Sequence, residues 1–417
     1  MQHQHFKTKC VSEFIFGGQR RCFISYRRQN AGDVRTITRA LHHRGVVTWL
    51  DTDDLASEQT EDEIRRSITS DETGGAVLFI TWETRGSPII LEVEIPELLA
   101  RKRRDPNFYL VPVLGAGVTY GDVAGILGNR FGADDLARWN LMRPCEADAF
   151  LPEHARQVAK RVLALSLEQS RAGVPAAATY RLRLNSRRRP GFDVSALLSL
   201  NWSDRFPVHC ADAETWKDEL IPALSDVYEA VSQQLPNCRL VGDGLLGMPA
   251  AVALGRTFAS PKQIRLDWAQ SRSDREVTIW SLASDDREIG CAVSIESRDV
   301  LSRDLALLVS ITDDARPAFD ISSPALPTVR ALIDVRLERF SHGLTGGQAG
   351  HIARKVVSVM RDARAKYRAT GTVHLFIAGP VGLGVLIAEE LNTFSSIATY
   401  EFCPSETVPY VAAAVLA

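Results

Sequence analysis

The chain has 417 residues, and its 49 Lys and Arg side chains are nearly balanced by 51 Asp and Glu side chains, for a formal net charge of −2. At about 100–200 residues per domain, this length predicts two or three domains, each with its own core. Hydrophobic residues make up 45% of the chain and charged residues 24%, which excludes a disordered or fibrous protein. The near-neutral charge argues against a dedicated duplex-DNA binder, which usually carries a strongly basic domain.

The seven cysteines are widely spaced and never form a Cys-x-x-Cys pair. This pattern fits neither a disulfide scaffold nor a zinc site, so we expect reduced thiols and no bound metal. The cationic N-terminus lacks the apolar segment of a signal peptide. The longest uncharged apolar stretch, residues 375–388, is too short to span a bilayer and contains Gly-Pro. We therefore expect a soluble, cytoplasmic protein with no membrane partner.

Short apolar runs alternate with helical segments in the first third of the chain. The runs RCFIS, VVTWL, AVLFIT and FYLVPVL begin at residues 21, 46, 76 and 108 and are typical of buried parallel strands. The spacing of apolar residues between them predicts helices at residues 31–44, 61–70 and 87–104. This alternation predicts a doubly wound α/β domain.

A faint internal repeat follows in the second half of the chain. The segments LVGDGLLGMPAAVALGRTF (240–258) and FIAGPVGLGVLIAEELNTF (376–394) align without a gap. Each consists of a strand end, a turn that contains glycine and a helix, and a short strand follows each. The repeat predicts two related βαβ lobes side by side.

Three motifs of the first domain follow one another along the chain: F-I-S-Y-R-R from Phe23, W-L-D-x-x-x-L from Trp49 and S-x6-E-I from Ser87. In this order and spacing they resemble the TIR (Toll/interleukin-1 receptor) family, and especially its NAD-cleaving members. The resemblance implies a flavodoxin-like doubly wound fold. It also implies an NAD+ hydrolase that releases nicotinamide and ADP-ribose, with NAD+ as substrate and no cofactor.

Glu94 is the candidate catalytic residue. Cleavage of the nicotinamide–ribose bond develops positive charge on the ribose, which a carboxylate beside the sugar stabilises. The resemblance favours Glu94 because Ile95-Pro96 follows it. Glu92 points about 200° away on a helix, so both cannot face one pocket, and Glu97 is a third choice. The alternative is that Glu94 is a solvated helix residue.

Five further residues are candidates for NAD binding. Arg27 and Arg28 follow the first strand and are able to reach a pyrophosphate, unless they form surface ion pairs instead. Ser25 and Tyr26 lie at the same edge, where Tyr26 contacts a ring or simply packs. Trp82 follows the third strand and offers a stacking surface, although a Trp more often belongs to a core.

The loop after the second predicted strand contains Asp53, Asp54 and Leu55. In the resembled family this loop mediates contacts between domains. The resemblance implies that the loop of one chain completes the pocket around Glu94 of another. Ser57 stands where family members commonly carry glycine, so the geometry of this loop stays open.

A second turn rich in glycine, from Gly379 to Gly384, joins a predicted strand to a helix in the C-terminal region. Such a turn lets backbone N–H groups meet an anion, although glycines also serve tight packing. The surrounding residues 373–402 resemble the C-terminal signature of SAVED domains, in which two fused CARF-like lobes bind cyclic oligonucleotides. Two fused lobes of this kind would produce the internal repeat described above.

The resemblance implies that both turns face a cyclic oligonucleotide, such as cyclic tri-adenylate, that acts as activator. Trp202 is a candidate base-stacking residue and Arg256 a candidate phosphate contact, with a core Trp and a solvated Arg as the alternatives. The candidate turn residues are Gly244, Leu245, Gly379, Pro380, Gly382, Leu383 and Gly384.

Together the two resemblances imply a TIR–SAVED effector of bacterial CBASS antiphage defence. The predicted domains are a TIR domain at 18–145, a helical connector and linker at 146–190, and a SAVED domain at 191–417 with lobes that meet near residue 320. The activator is expected to drive self-association into a helical filament or stacked oligomer, and NAD+ depletion then causes abortive infection. The alternative is a non-catalytic TIR scaffold coupled to a nucleotide sensor.

Overall fold

The computed structural model describes most of the chain. The described residues are 15–16, 18–49, 61–128, 141–144, 149–172, 174–175, 178–187, 192–206, 210–259, 264–271, 277–341 and 343–417. The chain divides into two compact units. The N-terminal unit comprises the chain up to Arg183 with Gly191–Asn201 and Glu229–Leu235, and the C-terminal unit comprises Leu184–Pro190, Trp202–Tyr228 and Pro236–Ala417.

The N-terminal unit combines short strands and helices. Its strands are β1 (Ile15–Phe16), β2 (Arg21–Ser25), β3 (Thr73–Ile80), β4 (Tyr109–Leu114), most of β5 (Thr179–Asn185), and β6 (Leu198–Asn201). Its helices are α1 (Ala31–His43), α2 (Glu61–Thr69), α3 (Ile95–Arg104), α4 (Val123–Leu127) and α5 (Pro152–Arg171). A π-helical segment, Ile89–Glu94, leads directly into α3.

Strands β2, β3 and β4 form a parallel sheet in that order, with Ser25 opposite Leu78 and Leu78 opposite Pro112. Strand β3 is buried along its whole length, which explains its continuous apolar run because a parallel sheet is covered on both faces. The predicted run VVTWL is the exception. Its described residues, 46–49, make only an isolated parallel bridge between Thr48 and Cys22.

Helix α5 belongs to the N-terminal unit and is not the connector predicted for residues 146–190. It packs against α1, β3 and β4. Val158, Val162 and Leu163 are buried on its inner face, and the Gln169 amide donates hydrogen bonds to the carbonyl oxygens of Gly74 (2.8 Å) and Asn107 (3.0 Å). The amphipathic spacing therefore predicted the helix correctly, but the helix covers the first sheet.

The C-terminal unit contains the remaining elements. Its helices are α6 (Ala213–Thr215), most of α7 (Ile221–Gln234), α8 (Met248–Thr257), α9 (Arg316–Ser322), α10 (Gly346–Tyr367) and α11 (Val381–Glu390). Its strands are β7 (Arg239–Asp243), β8 (Arg265–Ser271), β9 (Val277–Trp280), β10 (Cys291–Ser297), β11 (Leu305–Ser310), β12 (Ala331–Leu337), β13 (Val373–Ala378), β14 (Ile397–Phe402) and β15 (Tyr410–Leu416). Within the described residues, no helix has the length and apolarity needed to cross a bilayer.

Both segments of the predicted internal repeat fold as βαβ units, β7–α8–β8 and β13–α11–β14, each with parallel strands. The second sheet has the order β10-β12-β11-β13-β14-β15, with antiparallel strands at its two edges. The lobe boundary predicted near residue 320 is wrong, because β10 and β11 precede that residue and belong to this sheet. The second lobe therefore begins before Cys291.

Helices α8 and α11 of the two βαβ units pack against each other. Two glycines allow this close approach. A Cβ atom on Gly255 would overlap with the carbonyl oxygen of Val385, and a Cβ atom on Gly384 would lie 2.5 Å from Met248 Sδ. Because glycine has no side chain, the two helix backbones come closer than any other residue would permit.

Candidate functional sites

Glu94 lies beside the carboxyl end of strand β2 in the N-terminal unit. Its carboxylate accepts a hydrogen bond from Ser25 Oγ, and the residue is only 7% exposed. Burial raises the pKa of Glu94 to about 7, although the hydrogen bond from Ser25 acts in the opposite direction. Both protonation states are therefore accessible near neutral pH, and the ionised form is the one that stabilises positive charge.

The π-helical segment determines which way these carboxylates point. It buries Ile90, Val93 and Glu94, whereas Glu92 is exposed, so the two glutamates occupy different faces as their spacing predicted. Pro96 is the second residue of α3, two positions after the end of this segment. Proline has no backbone N–H, so it cannot make the hydrogen bond that an α-helix would require at this position. The wider π-helical turn before it therefore gives up no hydrogen bond.

The third candidate, Glu97, has a different environment. Its carboxylate accepts a hydrogen bond from the Arg65 guanidinium of α2 and is half-buried. Glu97 therefore links α2 to α3 instead of facing the end of β2. Of the three glutamates, Glu94 is the buried one at the carboxyl edge of the parallel sheet, where ligands bind in open α/β folds.

Tyr26 lies within electrostatic reach of Glu94 and of two arginines. Burial raises the pKa of Tyr26, the positive charges of Arg28 and Arg35 lower it, and the charge of Glu94 raises it. The structure thus brings Ser25 and Tyr26 close to Glu94, and it brings Arg28 and Arg35 close to Tyr26. Arg35 was missed by the sequence analysis. It lies on α1 two turns beyond Arg28, a spacing that would have placed it at the same edge.

Arg27 is half-buried and precedes the short 3-10 helix Arg28–Asn30. Trp82 is 47% exposed, so it is not a core residue, and its ring surface is available at the end of β3. The sequence analysis also missed Thr81, whose hydroxyl donates to Asn30 Oδ1 at 2.8 Å. This bond connects the end of β3 to the start of α1. The predicted assembly residues Asp53, Asp54 and Leu55 lie outside the described residues.

The first glycine turn of the C-terminal unit follows β7. Gly244 has a φ of +143°, and a Cβ atom there would overlap with the carbonyl oxygen of Leu184, so this position needs glycine. The Leu245 N–H donates to Asn185 Oδ1 at 3.0 Å, and the Leu245 carbonyl oxygen accepts from the Ser186 N–H at 3.1 Å. These bonds fix the turn and leave the Leu245 side chain 44% exposed.

The second glycine turn follows β13. Gly379 and Pro380 are half-buried, and Pro380 caps the N-terminus of α11. The Gly382 N–H donates to Gln270 Oε1 at 3.3 Å. A Cβ atom on Gly382 would overlap with Trp268. A neutral amide from β8 therefore already occupies the position at which an anion was predicted to meet Gly382.

Leu383 and Gly384 do not face a ligand. Leu383 is fully buried, and Gly384 lies against Met248 where α8 and α11 meet. The structure assigns both residues to packing between the helices, which corrects their prediction as ligand contacts. The tight-packing alternative for glycines in this motif was the right one at this position.

Trp202 and Arg256 are also structural. Trp202 is fully buried and packs edge-to-face on Trp216, with ring centroids 5.9 Å apart, so it exposes no face for a base. The Arg256 guanidinium donates to the carbonyl oxygens of Leu391 (2.8 Å) and Phe394 (2.7 Å). Arg256 therefore caps the end of α11, and burial lowers its pKa. Neither residue is placed as predicted.

A switch point in the strand order of the second sheet was not predicted. Strand succession reverses between β11 and β13, and ligands bind outside the carboxyl ends of strands at such a switch point. The N–H groups of Ile311 and Thr312 both donate to the Ala378 carbonyl oxygen, at 2.9 and 3.1 Å. The segment after β11 thus borders the Gly379 turn. In the sequence, the end of β11 is marked by the apolar run LALLVSI, which Thr-Asp-Asp follows.

Glu401, at the end of β14, is a third residue that the sequence analysis did not single out. It is 3% exposed, and its Oε1 accepts a hydrogen bond from Arg187 Nη2 at 2.8 Å. Burial raises the pKa of Glu401 to about 7, against the opposite effect of Arg187. The carboxylate lies against Gly247, the N-cap residue of α8.

No group of three or more metal-ligating side chains occurs among the described residues.

Several solved structures resemble the chain. The Acinetobacter baumannii Cap4 SAVED/CARF-domain containing receptor with the cyclic trinucleotide 3'3'3'-cAAA is 11% identical over 85% of this chain and 84% of that chain, with a TM-score of 0.48. The same receptor with 2'3'3'-cAAA is 12% identical with the same coverage and TM-score. The Moraxella osloensis Cap4 SAVED/CARF-domain containing receptor is 13% identical over 88% and 86% of the two chains, with a TM-score of 0.42.

No curated protein matches the chain significantly. Residues 223–416 match the family model of SAVED, described as the SMODS-associated and fused to various effectors sensor domain. This match covers both βαβ units and begins later than the boundary predicted at residue 191. Residues 223–416 are therefore a SAVED sensor domain.

Proposed function

We propose that the chain is an NAD+ hydrolase activated by a cyclic oligonucleotide, with the SAVED domain as sensor and the N-terminal unit as a catalytic TIR domain. The observation that carries the proposal is the buried Glu94 carboxylate, held by Ser25 at the carboxyl edge of the parallel sheet. In a chain that also contains a sensor domain, such a site is a natural target of regulation.

The chemistry follows from the position of Glu94. When the bond between nicotinamide and ribose breaks, its electron pair leaves with nicotinamide and positive charge develops on the ribose. The Glu94 carboxylate stabilises this charge, and Ser25 orients the carboxylate. Water then adds to the ribose and gives ADP-ribose and a proton. Tyr26 and Trp82 offer ring surfaces to NAD+, and Arg28 and Arg35 offer cations for its pyrophosphate.

Activation requires that the ligand favour one state of the protein over another. A cyclic oligonucleotide, with cyclic tri-adenylate as the first choice, binds the SAVED domain more tightly in the assembled state than in the monomer. A heterologous contact between copies that does not close into a ring gives a filament. In an infected bacterium the assembled enzyme depletes NAD+ in the cytoplasm, as part of CBASS antiphage defence.

The test is release of nicotinamide from NAD+ by the purified full chain across a panel of cyclic and linear oligonucleotides. Wild type should be active with one cyclic ligand, and Glu94→Gln should be inactive. The matched control is Glu92→Gln, two residues away on the exposed face, which should retain activity. If no ligand elicits nicotinamide release, or if Glu94→Gln releases as much as wild type, the catalytic proposal is wrong. The chain is then a non-catalytic TIR scaffold.

A further inference from the structure

The N-terminus of helix α8 is occupied by a carboxylate from the other lobe. A Cβ atom on Gly247, the N-cap residue, would overlap with Glu401 Oε2. Glycine is therefore what lets the carboxylate approach the backbone at this point. The partial positive charge at a helix N-terminus favours an anion, and in this structure Glu401 is that anion.

The environment of Glu401 satisfies only half of its carboxylate. Oε1 accepts the hydrogen bond from Arg187, but Oε2 has no hydrogen-bond partner among the described residues although it is buried. A buried polar atom without a partner destabilises the folded state and calls for an explanation. A carboxylate that occupies the place of a larger oxyanion would have one oxygen in this state, directed at a helix N-terminus but without a hydrogen-bond donor.

Arg187 connects this buried position to solvent. Its side chain is 52% exposed, whereas that of Glu401 is 4% exposed. A guanidinium has five N–H donors, and it binds phosphate in a bidentate manner. The hydrogen bond to Glu401 uses one of its nitrogens, so an oxyanion that arrives from solvent meets the guanidinium before it meets α8.

The equivalent helix of the repeat provides an internal comparison. The N-terminus of α11 is covered by Gln270 from β8, whose neutral amide oxygen accepts from Gly382. The side chains that cover the N-termini of the two helices therefore differ in charge. The charged position, at α8, is the one that has a partly exposed arginine beside it.

We propose that Glu401 holds the place of a ligand phosphate at the N-terminus of α8, and that a bound phosphate displaces Glu401 and takes over its hydrogen bond with Arg187. This inference rests on the proposed function, because the phosphate belongs to the cyclic oligonucleotide that activates the SAVED domain. Glu401 then competes with the ligand and sets the concentration at which the sensor responds.

The variant Glu401→Gln tests this competition, because it keeps the shape of the side chain and removes its charge. The dissociation constant of 3'3'3'-cAAA is measured by calorimetry with the full chain. At pH 8, one unit above the pKa of about 7 that burial gives Glu401, Glu401→Gln should bind about tenfold more tightly than wild type, a change that corresponds to about 1.4 kcal/mol. Arg187→Ala should bind more weakly. Unchanged or weaker binding by Glu401→Gln would overturn the proposal, because a purely structural role predicts no gain.

Two controls separate this inference from the proposed function. Glu219→Gln breaks a comparable ion pair with Arg205 in the same unit and should bind 3'3'3'-cAAA like wild type. If wild type binds no cyclic oligonucleotide, the proposed sensor function has failed, and inorganic tripolyphosphate becomes the probe. A larger rise in melting temperature for Glu401→Gln than for wild type and Glu219→Gln then supports the exchange, and equal rises refute it.

Discussion

Glu94 and Glu401 are two buried glutamates whose pKa values burial raises to about 7, yet the groups around them differ. A neutral hydroxyl, that of Ser25, holds Glu94 at the edge of a sheet, and Tyr26 lies within electrostatic reach of it. A charged guanidinium, that of Arg187, holds Glu401 against a helix N-terminus. A raised pKa therefore marks burial, and only the neighbouring groups indicate whether the carboxylate is suited to stabilise a transition state or to imitate a ligand.

The largest expected effect separates the two glutamates by activity. With activator present, Glu94→Gln should lower the rate of nicotinamide release by on the order of 10²–10³-fold, because a preorganised group aimed at developing charge contributes that much. Glu401→Gln, measured at saturating activator, should retain the rate of wild type. The measurement is steady-state release of nicotinamide by chromatography. Equal losses in both variants would contradict the division of roles.

The second prediction concerns the hydroxyl that holds Glu94. The hydrogen bond from Ser25 lowers the pKa of Glu94, so Ser25→Ala should raise that pKa further above 7. The charged form then persists only at higher pH, and the acidic limb of the profile of kcat/KM against pH should move to higher pH. At pH 7 we expect a loss of about fivefold for a pKa change of about one unit, because the ionised fraction falls from about one half to about one tenth.

The control for this profile is Ser70→Ala, which removes a hydroxyl that accepts from the Glu72 N–H at the surface. It should leave the profile of wild type unchanged. A loss of activity in Ser25→Ala without any displacement of the acidic limb would show that Ser25 does not act through the protonation of Glu94.

The third prediction addresses the close approach of Glu401 to helix α8. Gly247→Ala places a methyl group where Glu401 Oε2 lies, so the free energy of unfolding should fall by about 1–3 kcal/mol. Glu401→Ala removes the obstruction, and the double variant should recover part of the loss. Denaturant unfolding of the four proteins in this cycle measures the coupling. Additive effects would mean that the two residues do not touch.

Sequence patterns could predict a candidate site at Glu94 but not the contact that Glu401 makes, for a physical reason. Ser25 and Glu94 belong to local motifs, which predicted them as candidate site residues. The spacing of Glu92 and Glu94 along a helical segment predicted that their side chains point in different directions. Glu401 becomes significant only because α8 packs across β14, and a contact between residues so distant in sequence leaves no local pattern. The same limit applies to the prediction for Gly384. In the sequence, a glycine in a strand–helix turn gives the same pattern whether it contacts an anion or another helix.

The smallest expected effect tests the distinction between the two arginines that border the SAVED repeat. Both terminal nitrogens of Arg256 donate hydrogen bonds to carbonyl oxygens at the end of α11, whereas Arg187 is exposed beside Glu401. Arg256→Gln should therefore lower the free energy of unfolding by about 1 kcal/mol, the contribution of lost hydrogen bonds, and leave the dissociation constant of 3'3'3'-cAAA within twofold of wild type. Arg187→Ala should weaken binding of 3'3'3'-cAAA more than Arg256→Gln does, and it should also lower the free energy of unfolding, because it removes the hydrogen-bond partner of the buried Glu401 carboxylate. If Arg256→Gln weakens ligand binding more than Arg187→Ala does, then Arg256 contacts the phosphate and Glu401 does not mark the ligand position.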